Sequence, residues 1–152
     1  MEMVDACRAA GLQPVIGSAY RSIDDQIYLH NRKINFYLDK GLAYEDAYAE
    51  ASTVVAIPGC SEHNLGLAVD LCALSYQILD EGQLKTAEQQ WFMAHCHEYG
   101  FILRYLSEKS DLTGIIYEPW HYRYVGKEAA MEITERGICL EEYIAEKYDV
   151  NT

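Results

Sequence analysis

Apolar residues recur along this chain at two spacings, one of three to four residues and one of two, and the alternation between them marks out the elements. The opening segment MEMVDACRAAG has the helical spacing and stops at Gly11, which predicts a first helix. Pro14 to Tyr20 (PVIGSAY) reads as a strand. Ser22 and Asp25 then form an S-x-x-D capping box, whose side chains can satisfy the free amides of a helix start, so a helix is predicted from there towards Gly41. Another is predicted over Tyr44 to Val54. Pro58 to Gly66 opens on Pro-Gly and carries Asn64 and Gly66 near its end, the signature of a loop, and it feeds a short strand, LAVDL. Alternation there places Leu67, Val69 and Leu71 on one face and Ala68 and Asp70 on the other.

In the second half, Thr86 and Gln89 make another capping box and open a helix whose apolar positions Phe92, Cys96 and Tyr99 precede a stop at Gly100. Phe101 to Tyr105 and Tyr122 to Val125 read as strands, separated by a polar turn from Ser107 to Gly114. Two terminal helices follow, Lys127 to Arg136 and Leu140 to Tyr148, with Gly137 between them as a C-cap. The connections are too brief for successive βαβ crossovers. The order therefore predicts an α+β fold on a small antiparallel sheet flanked by helices.

Composition narrows the function. A chain of 152 residues that is 50% hydrophobic and 24% charged can bury a core, which excludes a disordered segment and predicts one domain over residues 1–152. Twelve basic residues against 24 acidic ones give a net charge of −12, which would repel a phosphate backbone, so nucleic acid is not an expected partner. The longest apolar stretches, such as STVVAIP, fall far short of the roughly 20 residues that span a bilayer. The acidic start lacks the basic region and apolar block of a signal peptide, so either the protein is cytoplasmic or an export segment lies outside this chain. The 5 cysteines (Cys7, Cys60, Cys72, Cys96, Cys139) are odd in number and form no CxxC pair, which argues against a disulfide framework or zinc ribbon and for small buried thiols.

Two short segments concentrate the chemistry. In SEHNLGLAVD, His63 and Asp70 are too far apart for one helical turn but suit a loop residue folding back beside a strand residue. In EPWHYRYVG, Glu118 lies three positions before His121, and alternation puts His121, Arg123 and Val125 on one side. Two imidazoles and a carboxylate are a normal zinc ligand set that leaves a fourth tetrahedral position to water. A spare carboxylate beside the metal can take that water's proton, and Glu118 is the natural candidate.

Together, SxHxxGxAxD (Ser61 to Asp70), ExWHxRYVG (Glu118 to Gly126) and the preceding SAYRSxxxQ (Ser18 to Gln26) resemble the D-alanyl-D-alanine carboxypeptidases of the VanY type. These belong to a zinc peptidase superfamily with lysostaphin-like endopeptidases and the Hedgehog signalling domain. The resemblance runs from about Val15 to Gly126 and implies the Hedgehog/DD-peptidase-like fold, its sheet carrying the zinc site. It implies zinc held by His63, Asp70 and His121, with Glu118 as general base and later proton donor to the leaving amine. It further implies that Arg21 polarises the scissile carbonyl, that Gln26 shapes the pocket beside it, and that the Ser61 hydroxyl binds the substrate's terminal carboxylate. Taken singly, Arg21 would read as a strand-end surface charge, Gln26 as a solvated helix position and Ser61 as a turn residue.

Two departures stand out. Cys60 occupies a position where the family usually has Thr or another small residue, so a thiol lies three residues from His63 and either joins the site or is a simple small-residue swap. Family members also usually carry more chain before the first motif, commonly an anchor or signal with a linker, which implies an extracytoplasmic protein whose anchoring or export segment is absent here. Other clusters weigh less. Neighbours on a helix point about 100° apart, so His95, Cys96 and His97 cannot converge on one ion. His30 has no ligand-like partner at helical spacing. Of the 13 tyrosines, Tyr20, Tyr117 and Tyr122 fall beside the motifs, where they either line a peptide groove or pack half-buried.

The function implied is zinc-dependent removal of the C-terminal D-alanine from peptidoglycan stem peptides by a monomer, which destroys the terminus that glycopeptide antibiotics recognise. The alternatives are an L,D-carboxypeptidase, a D-Ala-D-Ala dipeptidase, an endopeptidase on the same polymer, or a non-catalytic zinc module. Glu118 argues against the last, because structural zinc needs no spare base.

Overall fold

The computed structural model describes residues 1–148. Four short strands, β1 (Pro14–Ser18), β2 (Ala68–Ala73), β3 (Phe101–Leu103) and β4 (His121–Tyr124), form an antiparallel sheet in the order β1-β2-β4-β3. The helices are α1 (Glu2–Ala9), α2 (Ile23–Asp39), α3 (Tyr44–Val54), α4 (Ala87–His95), α5 (Ser110–Thr113), α6 (Lys127–Arg136) and α7 (Leu140–Tyr148). The architecture is the α+β arrangement that the polar and apolar pattern implied.

Both faces of β2 are covered, and its six residues are all buried. On one face Val69 and Leu71 join Tyr122 of β4, Met3, Val4 and Cys7 of α1 and Phe92 of α4 in the main core. Each fully buried side chain of this size contributes about 1.5–3 kcal/mol. Gln89 of α4 is also fully buried, because its amide donates to the Leu71 carbonyl at 2.7 Å and accepts from the Tyr122 hydroxyl at 2.8 Å. Thr86 caps α4 by accepting from the Gln89 N–H. The reciprocal half of the predicted box is missing, since Gln89 uses its side chain to pin the helix to the sheet.

Three other expectations shift in detail. The strand predicted to Tyr105 ends its ladder at Leu103, although the Arg104 N–H still donates to the His121 carbonyl. The segment Ser107 to Gly114 winds into a 3₁₀ turn and the short α5 instead of a plain turn. Tyr122 lies in the core with no exposed surface, so it cannot line a groove, whereas Tyr20 is 71% exposed. Gly100 ends the turn after α4 with φ +81°, and a side chain there would press its first carbon to 2.9 Å from the Tyr124 ring.

Helices α2 and α3 pack as a hairpin around Ile34, Ala47 and Ala51, and α6 and α7 cover Ile102 of β3 through Ala130, Ile133 and Leu140. Ser22 accepts from the Asp25 N–H and starts α2, as its spacing predicted. His30 faces into the hairpin and shares a hydrogen bond with Ser52 Oγ. No helix among the described residues is long and apolar enough to cross a membrane.

Candidate active site

The site lies on the second face of the sheet, and strand register builds it. Asp70 of β2 is the direct partner of His121 of β4, and on its other side Ser18 of β1 pairs with Asp70 after a break in register at Gly17. Such irregularities re-aim side chains beside functional sites. His63 arrives from a 3₁₀ turn, Glu62–Leu65, closed by Gly66 at φ +68°. Its Nε2 is 3.3 Å from Asp70 Oδ2, and His121 Nδ1 is 3.1 Å from Asp70 Oδ1.

His63, Asp70 and His121 are all buried, with one ligand atom from each lying within 4.8 Å of the others. The remaining imidazole nitrogens have partners of their own. His63 Nδ1 is 2.7 Å from the Ala19 carbonyl, and His121 Nε2 is 3.3 Å from Glu62 Oε2. Two nitrogens and a carboxylate oxygen therefore converge with their outward atoms already satisfied, which is the donor chemistry and support that a zinc ion requires. Cys60 is exposed and is not part of this cluster. The other four cysteines are buried free thiols, as their spacing implied.

Glu118 sits in the loop before β4, with Oε2 3.7 Å from His121 Nδ1. Burial and the nearby Asp70 charge push its carboxyl up to about 8, against the pull of His121 and Arg21. Asp70 moves the other way. Burial opposes its ionisation, but hydrogen bonds from both imidazoles hold it well below the usual carboxylate range. Two buried carboxyls that face the same His121 nitrogen thus differ in proton affinity, a pattern that separates a proton carrier from a permanent anion.

Arg21 follows β1 and is fixed from several sides. Its Nη1 donates to Gln26 Oε1 at 2.7 Å, its Nη2 donates to Ser18 Oγ at 2.9 Å, and the same Nη2 lies 3.8 Å from Asp70 Oδ2. Its backbone is tied to the His63 turn, because its N–H donates to the His63 carbonyl and its carbonyl accepts from Asn64. Gln26 is buried and its Nε2 donates to the Ala56 carbonyl at 2.6 Å. It is buried rather than a solvated helix position, and its side-chain oxygen holds the Arg21 guanidinium beside the cleft.

A cleft of about 240 Å³ opens over these groups and contains Arg21, Ser61, His63, Asp70, Glu118 and His121. Its remaining wall is largely apolar, with Leu29 and Val54 from the α2–α3 hairpin and Trp120 from the loop before β4. Sequence reading missed this wall, and it missed Glu62, which is buried between His121, Arg104 and Arg123. Burial works against the Glu62 charge, but the His121 hydrogen bond and the two guanidiniums bring its carboxyl down to about 2. The signal available was an acidic residue inside the first motif, directly before His63.

A sequence model of the VanY family, described as D-alanyl-D-alanine carboxypeptidase, matches residues 1–127. The chain belongs to this family. Within the VanY family, it is 43% identical over 145 residues to a D-alanyl-D-alanine carboxypeptidase of Enterococcus faecalis, a match covering 94% of this chain and 52% of that protein. The chain thus spans about half the length of that relative. VanYB in complex with D-alanine-D-alanine is similar in structure with a TM-score of 0.87 and 42% identity, over 96% of this chain and 78% of that one. A VanY mutant from a VanB-type resistance cassette, in complex with Zn(II), is similar with a TM-score of 0.83 and 42% identity, over 94% and 78% of the two chains. The family implied by the three sequence motifs is the one found.

Proposed function

We propose that this VanY-family protein is a zinc-dependent D-alanyl-D-alanine carboxypeptidase that removes the terminal D-alanine from peptidoglycan stem peptides. The observation that carries the reading is one cleft holding a His63–Asp70–His121 ligand set together with a buried Glu118 carboxyl and a clamped Arg21. Zinc held by the three ligands would supply Lewis acidity and a coordinated water whose pKa falls to about 7.

The residues then divide the work. Glu118 takes the proton of the attacking water and returns it to the leaving amine, a role its place beside His121 in the cleft supports. Arg21 presents an always-charged guanidinium to the carbonyl oxygen as negative charge develops there. Ser18 and Gln26 hold that guanidinium in place before substrate arrives, so little reorganisation is needed at the reacting step. Ser61, buried at the cleft wall, offers its hydroxyl to the terminal carboxylate. The apolar wall suits the methyl groups of alanine and limits water around the scissile bond.

One chain supplies every one of these groups, so a monomer suffices. Action on stem peptides of the assembled wall would put the site outside the cytoplasmic membrane, and action on their precursors would put it in the cytoplasm. The test is a panel of purified muropeptides ending in D-Ala-D-Ala, in a single D-Ala on a tetrapeptide, or in a cross-link, analysed by mass spectrometry with and without a chelator. Loss of one alanine from the pentapeptide alone, abolished by the chelator, is the expected result. Preferential trimming of the tetrapeptide would give an L,D-carboxypeptidase instead, and cleavage of the cross-link an endopeptidase.

A further inference from the structure

We infer that Glu62 is a positioning residue that fixes which nitrogen of His121 is offered to the metal. A neutral imidazole carries its proton on one nitrogen and a lone pair on the other, and the partner of the first decides the identity of the second. His121 Nδ1 faces Asp70 at 3.1 Å, and His121 Nε2 faces Glu62 Oε2 at 3.3 Å. Both carboxylates only accept, but Asp70 belongs to the proposed ligand set and Glu62 does not, so Nδ1 lies on the metal side and Glu62 holds the proton on Nε2, leaving Nδ1 as the lone-pair donor.

Glu62 is itself held in one orientation. Its Oε1 accepts from Arg104 Nε at 2.7 Å and pairs with Arg123 Nη1 at 2.7 Å, which leaves Oε2 to face the ring. Guanidiniums have no acceptor, so this arrangement cannot reverse. Arg104 is in turn gripped by Glu141 of α7, through Nη1 to Oε2 at 2.9 Å and Nη2 to Oε1 at 2.5 Å. A helix beyond the segment matched by the family model, which ends at residue 127, thus braces the support of a metal ligand. The inference rests on the proposal that His121 is a zinc ligand.

A merely structural role for this buried ion cluster makes a different forecast for Glu62→Gln. The substituted side chain would keep the size of glutamate but turn its only oxygen towards Arg104 and Arg123, leaving its NH₂ to point at His121 Nε2. That nitrogen must then accept, the ring proton moves to Nδ1, and the lone pair faces away from the metal position. Chelator-competition measurement of zinc affinity on the full chain should show a loss of about 10- to 100-fold in E62Q, the usual scale for removing such a supporting partner, with the far-ultraviolet circular dichroism unchanged. Equal affinities in E62Q and the parent overturn the inference. If E62Q fails to fold, the zinc-loaded parent decides by ¹⁵N histidine NMR. A proton on His121 Nε2 with Nδ1 metal-bound is expected, and the opposite assignment overturns the inference. A parent protein with no zinc affinity overturns the ligand assignment itself and this inference with it.

Discussion

Asp70 and His121 face each other across the β2–β4 ladder, so a single register pair brings a carboxylate oxygen to 3.1 Å from an imidazole nitrogen. The neighbouring pair in the same ladder, Val69 with Tyr122, points to the opposite face and belongs to the main core. A slip of one residue would exchange the two sets, sending His121 into the core and Tyr122 into the cleft. Core packing therefore specifies the site geometry. The cost of exposing Val69 or Tyr122 keeps Asp70 and His121 together even though the site's own charges are expensive to bury.

Replacing Glu118 by Gln keeps size and removes the base. Zinc content should remain at about one ion per chain while kcat falls by 100-fold or more, about the scale for losing a general base. Elemental analysis alongside steady-state kinetics checks both halves. Near-normal turnover would place the base elsewhere, and loss of zinc would make Glu118 a ligand.

Arg21→Lys retains a positive charge but loses the planar fork that meets Gln26 and Ser18. A drop of about 10²–10³ in kcat with little change in KM is expected, as for removal of an oxyanion donor. Gln26→Ala should lower kcat in the same direction by a smaller factor, because the guanidinium survives with one anchor missing. A KM effect without a kcat effect would assign Arg21 to ground-state binding.

Amidation of the substrate's terminal D-alanine removes the anion that a carboxypeptidase recognises. A loss of about 1.5–3 kcal/mol in transition-state stabilisation is expected, the range for a charge-assisted hydrogen bond. The ratio of kcat/KM for free acid and amide measures it. Equal values would indicate a cleft open at both ends.

The helices were legible because their ends are written in local chemistry. Ser22, Thr86 and Gly137 mark their termini, and α3, α6 and α7 span the residues that the pattern assigned to them. The residues His63, Asp70, Glu118, His121 and Arg21 were legible from three motifs, and the fold gathers them from β2, β4 and the loops around them into one cleft. Gln26 closes the third motif and was named from it as shaping the pocket beside Arg21, but its burial was not legible. Its amide is spent on Arg21 and on Ala56, which is 30 positions away, and no local pattern encodes that contact. Glu62 was missed for the same reason, since its partners Arg104, His121 and Arg123 lie at distant positions that only the folded sheet brings together.

The core that sets the register should also dominate stability. Phe92 is fully buried, with its ring 5.7 Å from that of Tyr122, so Phe92→Ala should cost about 3–5 kcal/mol. Tyr122→Phe should cost about 1–3 kcal/mol, because it leaves the buried Gln89 carbonyl oxygen without its donor. Urea unfolding of the metal-free protein measures both. A negligible change in F92A would mean that the register is held by something other than this core.

The central claim is that zinc at His63, Asp70 and His121 drives the loss of one D-alanine from a pentapeptide stem. The most direct measurement is D-alanine release from purified pentapeptide by metal-stripped protein as zinc is returned in steps. The account predicts no release without metal and activity that rises to a plateau at one zinc per chain, with one alanine released per peptide. Release by the metal-free protein, or a zinc-saturated protein that leaves the pentapeptide intact, would contradict it.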